Sequence, residues 1–140
     1  MADRLSDVER RERALTEADF QRLVTDLATT LGWSWAHWRP AQTKRGWRTP
    51  VEGPLGAGWP DLTLVRVRDR RLVFVELKRE LGTVTADQAA VLAVLEELAI
   101  GWLCTIEPPA RPCPRIEVHV WRPSDLRDPI ETSPIYGVLR

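Results

Sequence analysis

Cysteine is almost absent from the chain, with Cys104 and Cys113 alone among 140 residues. The two lack the paired short spacings of a structural zinc site, and in a reducing compartment a disulfide is not expected, so both read as packing or loop residues. No apolar run approaches the roughly 20 residues that span a bilayer, which excludes a membrane segment. Met1 to Arg13 alternate acid and base without an apolar signal core, so no secretory leader is read there and a cytoplasmic setting is expected. Net charge is absent too. Twenty basic residues balance twenty acidic ones, so bulk electrostatics argues for no nucleic-acid partner. Lysine is scarce, two residues against eighteen arginines, which makes the position of Lys78 stand out. Internal repeats and low-complexity segments are lacking.

What is present suffices for one core. With 44% apolar residues in 140, the chain reads as one domain over residues 15–140 behind a charged, weakly helical lead-in over 1–14. Thr16 is positioned to cap a helix carrying Phe20, Leu23, Val24, Leu27, Ala28 and Leu31, with Gly32 as its stop. Trp33 to Trp38 reads as a short strand and Arg39 to Gly58 as a long loop. Within that loop Arg39, Lys44, Arg45 and Arg48 form an acid-free stretch with Trp38 and Trp47 beside it. This is either a solvated connection or a phosphate-contacting loop.

Leu62–Val67 and Leu72–Leu77 are β-rich runs joined by a charged turn, Arg68 to Arg71. Along the second run Val73, Val75 and Leu77 share one face, and Leu72, Phe74, Glu76 and Lys78 share the other. Both faces begin apolar, as in a central strand covered on each side, and charge enters only at the C-terminal end. Thr85 with Gln88 resembles a capping box, followed by a helical stripe of Val91, Leu92, Leu95, Leu98 and Ala99. A strand over 101–106, a proline-rich loop over 108–114 and a strand over 116–121 complete a mixed α/β sandwich.

Hairpin pairing of the two runs brings Asp61, at the start of the first, beside Glu76 and Lys78, at the end of the second. A phosphodiester hydrolase must neutralise the scissile phosphate, activate a water and stabilise the leaving oxygen. Two carboxylates and a cation supply those parts. Asp61 and Glu76 are hard oxygen ligands suited to Mg²⁺, to which the Leu77 backbone carbonyl adds another, and Lys78 is a compact charge for a water or a phosphate oxygen. A Glu and a Lys one residue apart are also an ordinary same-face ion pair. What raises the triad above that is its place at the end of an apolar strand, where an unpaired charge is costly.

Gly58, Trp59, Pro60 and Asp61, then Glu76, Leu77 and Lys78, then Gln88, resemble the PD-(D/E)XK nuclease superfamily, specifically its VRR-Nuc branch. The likeness extends to Glu17, Gln21, Gly32, Trp33 and His37, and to Trp121 through Asp125, covering about residues 15–128. It implies a restriction-endonuclease-like fold, a mixed β-sheet flanked by helices with an αβββαβ core. It also implies dependence on Mg²⁺ or Mn²⁺ and action on DNA, often branched DNA such as Holliday junctions, by a homodimer. Stand-alone members of this kind occur in phages and bacteria, so the setting becomes the host cytoplasm if the chain is phage-encoded. By matching positions Asp61 and Glu76 become metal ligands, Lys78 the catalytic lysine, Gln88 a supporting active-site residue and Glu17 an additional acid near the metal. Gln88 also reads as a simple helix cap and Glu17 as a simple helix-start acid. His37 is either a phosphate contact or a structural histidine, and His119 is assigned no role. Residues 107–115, with Pro108, Pro109, Pro112 and Pro114, depart from the family as an insertion. A silent nucleic-acid-binding module on the same scaffold, or a nuclease acting on RNA or unbranched DNA, remains open at the level of sequence.

Overall fold

The alternating runs over residues 62–77 form two adjacent strands in the middle of a sheet. The structure, a computed structural model, describes residues 5–38, 41–48, 51–100 and 113–140. Strand β1 is Ser34–His37, β2 is Ala41–Thr43, β3 is Gly46–Arg48, β4 is Leu62–Arg66, β5 is Arg71–Leu77 and β6 is Arg115–Trp121. The main sheet runs β1-β4-β5-β6, antiparallel except for the parallel pair β5 and β6. Helix α3, Ala86–Ile100, lies in the chain between those two strands, as a parallel pair requires. Central β5 is buried along its length apart from partly covered Leu72.

Helices cover both faces. On one, Leu62, Leu64, Val73, Val75 and Leu77 pack against Phe20, Val24 and Ala28 of α2, Glu17–Thr30, and against Ile135 and Leu139 of α4, Pro134–Leu139. On the other, Phe74 meets Val91 and Leu95 of α3, with Trp59, Leu72, Ile116 and Val118 around them. Each fully buried Leu, Val or Phe contributes about 1.5–3 kcal/mol, so this two-sided burial holds β5 in register.

The Thr16 hydroxyl accepts the Asp19 N–H at 3.1 Å to start α2. The helix ends where Gly32 takes a left-handed φ of +80° and the Trp33 N–H reaches the Ala28 carbonyl at 2.9 Å, a Schellman closure. Most of the described part of the lead-in is helical. Ser6 and Glu9 form a capping box that opens α1, Asp7–Ala14, although no residue of that helix is buried.

Three features depart from expectation. The stretch expected to be loop holds the β2–β3 hairpin, turning through Lys44 and Arg45. Helix α4 is unforeseen: Arg66, buried beneath it, donates to the Leu139 carbonyl at 2.6 Å and the Arg140 carbonyl at 2.9 Å, and stacks 4.4 Å from the Trp33 ring. The Trp33 indole N–H joins at the same Leu139 carbonyl, 2.8 Å away. Finally, Cys113 is disulfide-bonded, which corrects its reading as a reduced packing residue; Cys104 lies outside the described residues. So do the strand expected at 101–106 and most of the proline-rich loop. Among the described residues no helix is long and apolar enough to cross a membrane.

Candidate active site

Sheet register carries Asp61 to Glu76. Leu62 pairs with Val75, so one step further along the antiparallel ladder Asp61 stands opposite Glu76, on the same face. The Asp61 carboxylate is anchored there by the Leu77 backbone N–H, which donates to Oδ2 at 2.8 Å. Glu76 is 1% exposed, and its Oε1 accepts from Lys78 Nζ at 2.6 Å and from Gln88 Nε2 at 2.6 Å. Its Oε2 is buried with no hydrogen-bond partner. The three charges proposed from sequence therefore meet at one end of the hairpin.

Burial pushes the Glu76 carboxyl up to about 7; the neighbouring Asp61 carboxylate adds to the rise and the Lys78 ammonium opposes it. An uncompensated oxygen beside a second carboxylate is a place where a cation is favoured.

Gln88 performs both roles that the sequence left open. Its Oε1 accepts the Thr85 N–H at 3.0 Å and its own N–H donates to Thr85 Oγ1 at 3.2 Å, the reciprocal bonds of a capping box. The amide nitrogen is left to hold Glu76. The start of α3 is itself set by Gly58, in the 3₁₀ turn Gly56–Gly58: a Cβ there would lie 2.2 Å from the Asp87 carbonyl oxygen. Only glycine allows this backbone approach, and that approach brings Gln88 within reach of Glu76. Trp59 then wedges edge-on against Phe74, ring centres 5.6 Å apart, before the chain delivers Asp61.

A cavity of about 420 Å³ opens here, walled by Glu17, Gln21, His37, Trp38, Asp61 and Gln88 among others. Glu17 thus faces the same space as Asp61. Among the described residues, however, no three His, Cys, Asp or Glu side chains cluster closely enough to hold a metal together, so Glu17 does not join Asp61 and Glu76 as a third close ligand. Of the basic residues proposed to contact nucleic acid, Lys44 and Arg45 do not line the cavity. Lys44 and Arg45 are exposed on the β2–β3 turn, Arg48 is described in its backbone alone, and Arg39 lies outside the described residues.

Trp38 and Trp59 in the cavity wall were not singled out as site residues. Their signal was a pair of tryptophans in polar, glycine-bearing segments, one of them two residues before Asp61. No protein-family model, curated protein or solved structure matches the chain.

Proposed function

We propose that the chain is a divalent-metal-dependent DNA endonuclease of the PD-(D/E)XK type, acting on branched DNA. The observation that carries this reading is the buried, unpartnered Oε2 of Glu76 beside the Asp61 carboxylate, with Lys78 Nζ 2.6 Å from the other oxygen of Glu76. The donor set fits Mg²⁺ or Mn²⁺: two carboxylates and the Leu77 carbonyl are hard oxygens, and Mg²⁺ takes one or two carboxylates and keeps water in its remaining positions. When bound, such an ion lowers the pKa of a coordinated water and offsets charge on the phosphate. Asp61, pinned by the Leu77 N–H, and Glu76, pinned by Gln88, hold ligand oxygens without needing to reorganise. Lys78 supplies a cation for the attacking water or a non-bridging phosphate oxygen. With the separate β2–β3 hairpin set aside, α2, β1, β4, β5, α3 and β6 follow one another in an αβββαβ order, which supports this reading, as does the resemblance of the Gly58–Asp61 and Glu76–Lys78 segments.

A binding module without turnover is the second reading, favoured by the burial of Glu76 and its pairing with Lys78, which set both back from the cavity lining. Incubating the protein with labelled four-way junctions, flaps, duplex and single strands, with Mg²⁺, Mn²⁺ or EDTA, separates the two. Metal-dependent cleavage with a preference for branched substrates is expected. Binding without cleavage of any substrate would leave the module.

A further inference from the structure

The walls of the cavity present a difficulty for a nucleic-acid substrate. Among the described residues they carry the carboxylates of Glu17 and Asp61 and no lysine or arginine, so this part of the wall gives an incoming phosphodiester no electrostatic attraction. Lys78, the cation beside Glu76, is 11% exposed in its side chain and already paired with that carboxylate. What the mouth does offer is an aromatic surface. Trp38 is 41% exposed, lines the cavity, and is tied to the site by its backbone N–H, which donates to the Asp61 carbonyl at 3.4 Å. The other tryptophans whose side chains are described are held by protein partners or buried. Trp33 lies beneath Arg66, Trp59 is wedged on Phe74, Trp121 is buried, and Trp35 is tethered to Thr29 Oγ1 at 3.0 Å on α2.

Building on the nuclease reading, we infer that Trp38 is a stacking platform for a nucleobase drawn out of the helix beside the scissile phosphate, which makes an unpaired nucleotide at the cut the preferred substrate. Glu76 is 1% exposed and Asp61 lies in the cavity wall, so the strand must bend inward to bring its phosphate to them, and an inward bend breaks base stacking at that step. A base still held in a continuous duplex resists this bend, whereas one in a flap or single strand does not. The indole face replaces the lost stack. Such stacking is tolerant of base identity, so it selects shape rather than sequence. It is also uncharged, and should leave the salt dependence of binding unchanged.

The test compares wild type with Trp38→Phe, which keeps an aromatic face, and Trp38→Leu, which keeps apolar bulk without one. Binding of a single strand, a flap and a fully paired duplex of one sequence is measured by fluorescence anisotropy in Ca²⁺ at several salt concentrations, and cleavage of the same three in Mg²⁺. Trp38→Leu is expected to weaken single-strand and flap binding by about tenfold or more, with duplex binding changed less than about threefold and an unchanged salt slope. Trp38→Phe is expected to retain most of the affinity. Equal losses on all three DNAs, no loss on any, or equal behaviour of Phe and Leu would overturn the role of Trp38. If wild type cuts nothing, the nuclease reading fails, while the binding measurements still decide whether Trp38 stacks a base.

Discussion

Raising the pH of the metal-free protein is expected to weaken its fold through Glu76. Its carboxyl has an ordinary value of 4.5 and is pushed up to about 7 in the fold, first by burial and then by Asp61, against the pull of Lys78. A folded-state value above the unfolded one means that the folded protein holds this proton more tightly. The associated stability is fully present below pH 4.5 and is lost as pH rises through about 7, a change of roughly 3 kcal/mol over that window. His119 acts in the opposite sense, because burial holds its imidazole below the ordinary range and stability is lost as pH falls. The difference between wild type and Glu76→Gln isolates the carboxyl. Urea unfolding followed by tryptophan fluorescence from pH 4.5 to 8 should show the wild type losing stability relative to Glu76→Gln. Mg²⁺ should reverse that loss increasingly as pH rises, because the ion binds the deprotonated carboxylate. Parallel curves for the two proteins, or Mg²⁺ stabilisation that does not grow with pH, would refute the reasoning.

Gly58→Ala, placing a Cβ 2.2 Å from the Asp87 carbonyl, should cost about 1–3 kcal/mol in urea unfolding and lower cleavage by displacing Gln88 from Glu76. Arg66→Met should cost about 2–3 kcal/mol in urea unfolding, since it leaves the Arg140 carbonyl and the Asp69 carboxylate without their guanidinium donor and the Leu139 carbonyl with the Trp33 indole N–H alone. Lys44→Gln and Arg45→Gln should each lower the slope of log K against log salt by about 0.9 if they contact duplex phosphates, and an unchanged slope would remove the hairpin from the interface.

The legible part of this fold is the part whose pattern is local. The two-faced burial of β5 follows from Val73, Val75 and Leu77 alternating with Leu72 and Phe74, and the meeting of Asp61 with Glu76 follows from the register that this alternation enforces. The two-sided role of Gln88 was half visible, as a capping box; its reach to Glu76 depends on the Gly58 backbone touching α3, a contact between segments about 30 residues apart that no spacing rule encodes. The β2–β3 hairpin was missed because three-residue strands are too short to show alternation. Helix α4 was missed because its six residues show no period and its docking runs through backbone carbonyls caught by Arg66 and Trp33. In the site, charged residues stood out against an apolar strand, whereas Trp38 was indistinguishable in sequence from a tryptophan that anchors a loop.

The most direct measurement of the central claim is cleavage of the best-cut DNA by wild type, Asp61→Asn and Glu76→Gln at equal protein concentration, in Mg²⁺ and in EDTA, with circular dichroism confirming that each is folded. Cleavage by wild type in Mg²⁺ alone is expected, with loss of at least about a hundredfold in both variants, which corresponds to roughly 3 kcal/mol of transition-state stabilisation. Cleavage in EDTA, or wild-type rates from either folded variant, would contradict it.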